Sequence, residues 1–193
     1  MQNTNTSISE IKFLAGSVRD AYQAHQTAWS VVGQSPNQSR HFHHDYMPLP
    51  FNNGAVITVR ALCKYLPDNA RIIQTYYEAG SVLKFSLGAA ASVIRHNKKE
   101  FPCVTRDELL QWINARCATN GFDVQPESLD VDSQASLIAK PGNQRFFLNR
   151  AHFSGDLKVT DSDLFAQTLV NGIGRHKGLG FGMLKIINNY ESK

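Results

Sequence analysis

The order of predicted secondary-structure elements is the feature that most constrains how this 193-residue chain folds. In the first half, strand-like and helical segments follow one another at 9–16 (strand), 18–33 (helix), 40–47, 55–62 and 71–78 (strands). The link before the last strand is long enough for one helical turn. This order indicates a split βαβ unit, in which a helix crosses one face of an antiparallel sheet.

The same order recurs in the second half of the chain. The predicted elements are a strand at 81–87, a helix at 105–121, strands at 133–140 and 145–160, a helix at 162–171 and a strand at 180–187. Thr105 and Glu108 form a predicted capping box, and Gly121 is the predicted end of that helix. The pattern predicts an α+β fold of two tandem ferredoxin-like (βαββαβ) domains, residues 1–79 and 80–193, with their boundary near Ala79 and Gly80. No sequence repeat relates the halves, so the duplication is one of pattern.

The charge distribution permits an anionic partner. The net charge is +4, with a pI near 9.0, and residues 140–193 hold eight Lys or Arg against four acidic residues. The three cysteines form no C-x-x-C pair and indicate no disulfide framework. Because no signal peptide and no membrane-spanning apolar run are visible, we expect a soluble, cytoplasmic protein without membrane contact.

A glycine-rich loop, NGIGRHKGLGFGML at 171–184, lies near the C-terminus between a predicted helix and the last strand. It matches neither a dinucleotide-binding fingerprint nor a P-loop. Glycine is costly to order, so this concentration needs a reason. The residues alone leave two explanations open. Gly172 could cap the helix before a tight entry into the last strand, or the loop backbone could be shaped to approach a ligand.

Two strings in the chain resemble a known family. GIGRHKGLGFGML resembles the C-terminal glycine-rich motif of the repeat-associated RNA-binding superfamily of CRISPR systems, and RDAYQAHQTAW resembles the first helix of the type I-E class of CRISPR repeat endoribonucleases. Similarity extends through residues 71–91, the helix bearing Trp112, and residues 153–161. The chain departs from the family in LKFSLGAAAS, where members often carry basic residues and this sequence has only Lys84.

The resemblance implies metal-independent cleavage of CRISPR precursor RNA 3′ of the repeat stem-loop, without a cofactor. The 2′-hydroxyl would attack the neighbouring phosphate, giving a 2′,3′-cyclic phosphate and a 5′-hydroxyl. The product hairpin would stay bound within a multisubunit CRISPR effector complex. The implied catalytic residues are His25 and Tyr22, which share a helix face with Trp29; which of them is acid and which is base stays open. The residues predicted to bind RNA are Gly172, Gly174, Arg175, His176, Lys177, Gly178 and Gly180, with Arg145 and Arg150 for the stem phosphates.

Two alternatives remain open. The chain could be an inactive subunit of the same fold that caps the guide-RNA hairpin. It could instead be a metal-dependent hydrolase using His41, His43 and Asp45, whose H-x-H-x-D spacing puts three ligand types on one strand face. In such metal motifs another His normally follows the Asp, and here Tyr46 stands there. The residues specify neither the repeat that is read nor whether the complex is type I-E or a related type such as type IV.

Overall fold

The computed structural model describes residues 7–18, 20–32, 40–49, 54–95, 99–139 and 145–187. Within these residues the chain forms eleven β-strands and three α-helices. In chain order they are β1 (Ile8–Ala15), α1 (Ala21–Val31), β2 (Phe42–Pro48), β3 (Ala55–Leu62), β4 (Arg71–Ile72), β5 (Val82–Ala89), β6 (Ser92–Arg95), β7 (Lys99–Pro102), α2 (Arg106–Cys117), β8 (Phe122–Val124), β9 (Asp130–Ala139), β10 (Arg145–Val159), α3 (Ser162–Asn171) and β11 (Met183–Ile186).

The first sheet has the strand order β2-β3-β1-β4, with antiparallel neighbours. Helix α1 connects β1 to β2 and packs on the face that carries the buried side chains of Ile57 and Val59. A short 3₁₀ turn, Cys63–Tyr65, stands between β3 and β4, where a ferredoxin-like unit has its second helix. The predicted link with one helical turn is therefore confirmed.

The second sheet repeats this arrangement in the order β11-β5-β10-β8, with β9 also paired to β10. Helices α2 and α3 occupy the two crossover positions and cover a core that includes Phe85, Phe153 and Phe165. The predicted α+β fold of tandem ferredoxin-like units is thus confirmed. The hairpin β6–β7 forms a separate two-stranded sheet between β5 and α2 that the sequence pattern did not predict.

Side-chain caps start all three helices of the described residues, and the one at Thr105 and Glu108 is as predicted. Asp20 accepts from the Gln23 N–H at 2.9 Å and starts α1, the Thr105–Glu108 capping box starts α2, and Asp161 caps α3. Gly121 does not end α2, which stops at Cys117.

Gly121 has a different role. It has φ +75°, and a Cβ there would come within 2.6 Å of the Asp161 carbonyl oxygen and the Phe165 nitrogen. It is needed for close packing against the start of α3. The predicted strand at 71–78 is also wrong beyond Ile72: only Arg71 and Ile72 pair with β1.

Ion pairs connect the two sheets. Asp45 of β2, with its side chain only 6% exposed, pairs with Arg150 of β10 and Lys185 of β11. Arg60 of β3 pairs with Glu10 of β1 at 2.5 Å within the first sheet, and its hydrogen bond to the Leu169 carbonyl reaches the end of α3. These contacts bring the C-terminal end of α3 and strand β11 against the first sheet. The proposed domain boundary lies in the turn at 79–80 between the sheets and stays a prediction.

Candidate functional site

Helix α1 carries the predicted catalytic residue His25 beside Trp29. The Trp29 Nε1–H donates to His25 Nε2 at 2.9 Å, and the rings meet edge-on at 6.0 Å between centroids. Because the indole nitrogen can only donate, His25 Nε2 is the acceptor in this contact. The proton of the neutral ring therefore resides on Nδ1. Tyr22, one turn earlier on the same helix, packs against the core under α1.

The surroundings of His25 keep its imidazole neutral. Phe42 and His44 of β2 lie with ring centroids at 6.3 and 5.4 Å from it. Burial, followed by the positive charge of Arg40, lowers the pKa of His25 below 6.5. His25 Nδ1 is buried and has no hydrogen-bond partner among the described residues. A neutral imidazole with one unpaired nitrogen can serve in proton transfer near pH 7.

The glycine-rich loop folds over this helix from the other end of the chain. Its 3₁₀ turn, Lys177–Leu179, packs against both α1 and β2. A Cβ on Gly180 would lie 3.2 Å from His44 Nε2 and 3.0 Å from Tyr46 Cδ1. The fold thus places the predicted RNA-binding loop on the same layer of side chains that borders His25.

The loop glycines are required by the protein's own backbone. Gly172 is the C-cap of α3 with φ +70°, as predicted, and Gly174, Gly180 and Gly182 also have positive φ. The Ile173 N–H donates to the Gly182 carbonyl at 2.7 Å, so the loop closes on itself. The helix-cap interpretation is therefore confirmed, and an approach of this backbone to RNA stays a prediction.

Substitution of Gly182 by alanine should destabilise the protein by about 2–3 kcal/mol. Left-handed strain costs about 1–2 kcal/mol, and the added Cβ would collide with the Ile173 carbonyl oxygen. Gly80→Ala is the matched control, because Gly80 has φ +94° but no atom within 4 Å of the added Cβ. Urea denaturation of both variants measures the difference. Equal losses would mean that the closure of the loop contributes nothing beyond backbone strain.

The basic side chains of the loop have partners within the protein. Arg175 is exposed and pairs at 2.8 Å with Glu100 of β7, and His176 Nε2 lies 3.6 Å from the same carboxylate. Lys177 Nζ donates at 3.0 Å to the carbonyl of Asn171, the last residue of α3, where the helix dipole favours a cation. Their contacts with RNA stay predictions.

The two arginines predicted for the stem phosphates differ in position. Arg150 is 16% exposed, pairs with Asp45, donates to the Gly180 carbonyl at 3.2 Å and lies over the Tyr46 ring. It therefore supports the loop from beneath, and an RNA contact through it stays a prediction. Arg145 lies in β10, and its side chain falls outside the described residues.

The three residues of the H-x-H-x-D segment do not share one set of contacts. His41 is exposed and stacks on Tyr65 at 5.8 Å. His43 and Asp45 stand two residues apart in β2, the spacing that was predicted to put them on one strand face. The Asp45 carboxylate, however, pairs with two cations, Arg150 and Lys185. In the part of the chain that the structure describes, no group of three His, Cys, Asp or Glu residues is placed to hold a metal.

Sequence reasoning missed two residues of this site, His44 and Arg40. His44 is fully buried next to His25, and burial is the main reason that its pKa falls to about 3. Arg40 precedes β2 and contacts the glycine loop, since a Cβ on Gly178 would lie 3.2 Å from Arg40 Nη1. The sequence signal that could have found His44 is its spacing from Phe42. Residues two apart in a strand share a face, so His44 lies with Phe42 on the buried face, next to His25 of α1.

Comparisons with known proteins agree with this architecture. A family model described as CRISPR associated protein matches residues 7–188. A structure of Thermus thermophilus Cse3 bound to an RNA representing a pre-cleavage complex is similar, with 19% identity and a TM-score of 0.76 over 94% of this chain and 100% of that one.

Two further solved structures are similar in fold. The CRISPR-associated protein Cas6e from Escherichia coli K-12 has 18% identity and a TM-score of 0.69 over 94% of this chain and 98% of that one. A chain of a CRISPR RNA-guided surveillance complex has 16% identity and a TM-score of 0.65, covering 92% and 98%. No curated protein matches at the level of sequence. Among the helices of the described residues, none is long and apolar enough to cross a membrane.

Proposed function

Because the chain belongs to the CRISPR-associated protein family, we propose that it is a metal-independent endoribonuclease that cleaves CRISPR precursor RNA 3′ of the repeat stem-loop. The observation that carries this proposal is the convergence of the His25 face of α1 and the basic glycine loop, which come from opposite ends of the sequence. Similar structures described as Cse3 bound to RNA support an RNA substrate for this fold.

The proposed reaction is an internal transesterification. The 2′-oxygen forms a bond to the neighbouring phosphorus while the bond from phosphorus to the 5′-oxygen breaks. One group accepts the 2′-OH proton and another protonates the leaving 5′-oxygen, yielding a 2′,3′-cyclic phosphate and a 5′-hydroxyl. His25 and Tyr22 are the proposed proton-transfer pair, and cations near the loop would stabilise the charge on the phosphate.

The glycine loop is the proposed RNA-binding element, and Lys177 is its most direct test. Replacing Lys177 by alanine should weaken hairpin binding and flatten its salt dependence, because each lost phosphate contact changes the slope of log K against log salt by about 0.7–0.9. Filter binding at several salt concentrations measures the slope. A Lys177→Ala protein with the wild-type slope would show that this side chain makes no phosphate contact.

After cleavage the protein is proposed to retain the hairpin as a subunit of a cytoplasmic CRISPR effector complex. The similarity to a chain of an RNA-guided surveillance complex supports such an assembly. RNA selectivity would come from the shape of the stem and from contacts with its backbone, with single-stranded flanks read separately.

One observation favours a second candidate, a subunit that binds the hairpin without cutting it. In this structure neither ring nitrogen of His25 is free for a substrate: Nε2 is bonded to Trp29, and Nδ1 is buried. A catalytic His25 must therefore change its contacts when RNA binds. Catalytic hydrogen bonds often form only in the substrate complex, and the nuclease requires such a change at His25 whereas the non-cutting subunit does not.

The deciding experiment incubates purified protein with the repeat RNA in excess EDTA and maps the product ends. Cleavage 3′ of the hairpin with a cyclic phosphate supports the proposed nuclease. Tight binding without cleavage supports the capping subunit. Cleavage that occurs without EDTA but is abolished by it would contradict metal independence. It would support the metal-dependent hydrolase that uses His41, His43 and Asp45.

A further inference from the structure

Arg40 is held beneath the glycine loop with part of its guanidinium unpaired. The residue is half-buried, and its Nη1 atom is buried without a hydrogen-bond partner among the described residues. The guanidinium faces Gly178 of the loop so closely that a Cβ added there would lie 3.2 Å from Nη1. Buried arginines are ordinarily paired, so an unpaired guanidinium nitrogen needs an explanation.

Two other arginines of low exposure differ from Arg40 in having carboxylate partners among the described residues. Arg60 pairs with Glu10, and Arg150 pairs with Asp45, so two arginines with low exposure have carboxylate partners within the fold. The charge of Arg40 acts instead on the imidazoles of His25, His43 and His44. After burial, the charge of Arg40 is the next cause that lowers the pKa of both His25 and His43.

The same neighbourhood contains further nitrogens without partners. His25 Nδ1, His43 Nδ1 and both ring nitrogens of His44 are buried and, among the described residues, have no hydrogen-bond partner. A guanidinium nitrogen without a partner in the described part of the chain, next to the glycine loop and acting on neutral imidazoles, is an environment that an anion would complete. Guanidinium is the side chain best matched to phosphate, because its planar fork can bind two oxygens at once.

We propose that Arg40 binds the scissile phosphate of the RNA beside His25, an inference that rests on the proposed function. The guanidinium would contact a non-bridging oxygen and balance the charge that grows on the phosphate as the 2′-oxygen attacks. Binding of the phosphate would also provide the partner that Nη1 lacks in the free protein. Arg40 is then a catalytic residue that no motif in the sequence indicated.

Two RNAs test this assignment independently of cleavage. One spans the cleavage site but carries a 2′-deoxy nucleotide at the attacking position; the other is the product hairpin, which lacks the scissile phosphodiester. Wild-type protein should bind the spanning RNA more tightly, and Arg40→Gln should lose that difference and lower the salt slope for the spanning RNA by about 0.7. Binding of the product hairpin should be unchanged. Arg71→Gln, on the edge strand β4 and exposed, is the matched control.

Cleavage rates supply a second readout. Under single turnover, Arg40→Gln should slow cleavage about 10²-fold or more, the scale of losing one hydrogen-bond donor at a developing charge. Arg40→Lys should be intermediate because it keeps the charge but not the fork. The Cβ added by Gly178→Ala would lie 3.2 Å from the same guanidinium and displace it. This variant should therefore also cleave more slowly, and thermal unfolding should show that it remains folded.

The outcomes separate this inference from the function on which it rests. If wild type cleaves and Arg40→Gln keeps both the wild-type rate and the affinity difference, the assignment of Arg40 is wrong. If wild type binds without cleaving, the proposed nuclease fails, and the affinity difference still decides whether Arg40 contacts the phosphate. Loss of binding to both RNAs by Arg40→Gln would assign Arg40 to the hairpin and overturn its place at the scissile phosphate.

Discussion

The His25→Ala protein is expected to cleave repeat RNA about 10²-fold more slowly than wild type or worse, with hairpin affinity little changed. This is the usual contribution of one positioned acid–base group. His25 is half-buried on α1, and its loss removes the hydrogen bond from Trp29 but no fully buried side chain. Single-turnover cleavage in EDTA, with binding measured in parallel, separates a chemical effect from a loss of affinity.

His152→Ala is the matched control, because His152 is an exposed histidine on β10 whose Nε2 lies 3.1 Å from the Ser86 hydroxyl. It should cleave at the wild-type rate. Unaltered cleavage by His25→Ala would remove His25 from the mechanism. An equal loss in both variants would point to a general effect of removing an imidazole.

The pH profile assigns the role of His25. Burial and Arg40 lower its pKa below 6.5, so the neutral form predominates in the free protein at pH 7. If neutral His25 accepts the 2′-OH proton, kcat/KM rises with pH through a midpoint below 6.5 and then levels off. If protonated His25 donates to the leaving oxygen, kcat/KM falls with pH over that same range. In either case, this pH-dependent change in kcat/KM should be absent from His25→Ala.

Asp45→Ala is expected to lower the free energy of unfolding by about 3–5 kcal/mol, the cost of removing one partner of a buried ion pair. The substitution leaves Arg150, 16% exposed, without its carboxylate and removes the contact with Lys185. Lys84→Ala is the control, since the Lys84–Asp156 pair is 3.6 Å apart with the lysine 59% exposed. A surface pair of this kind is worth about 0–1 kcal/mol. Urea denaturation measures both.

The pH dependence of stability follows from the same carboxylate. Burial alone would raise the pKa of Asp45, but Arg150 and Lys185 outweigh it and hold the pKa below its ordinary value of 3.8. A depressed pKa stabilises the fold above the unfolded-state pKa, and this contribution is lost as the pH falls through the folded-state pKa. Wild type should therefore lose stability below about pH 4, and Asp45→Asn should show a flatter profile there. An unchanged acid limb would mean that other carboxylates dominate acid unfolding.

Local signals in the sequence predicted most of the secondary structure because they act over a few residues. Asp20, Thr105 and Asp161 start their helices through side-chain bonds to backbone N–H groups three residues on. Alternation of apolar residues predicted β3 over the residues it occupies, 55–62. The prediction of a strand at 71–78 was wrong beyond Ile72 because a strand also needs a partner along its length. Of this segment, only Arg71 and Ile72 form strand pairs with β1.

The candidate site was predictable only in part. The resemblance selected His25, Tyr22 and the glycine loop, and the fold brings the loop against α1. Arg40 and His44 carry no motif and were found only through their burial and their neighbours. Arg150 has the same charge as the other predicted phosphate ligands, but its partner Asp45 is 105 residues away in sequence.

The sequence by itself determined the order of elements, the helix caps and the family, because capping and periodicity depend on neighbours within one or two turns. The tertiary structure decided which polar groups have partners. Asp45 satisfies Arg150 and Lys185 across the two sheets, whereas Arg40 Nη1 has no hydrogen-bond partner among the described residues. Ion pairing in a buried place depends on which distant side chains the packing of the sheets brings within a few ångströms, and that distance is set by the whole fold.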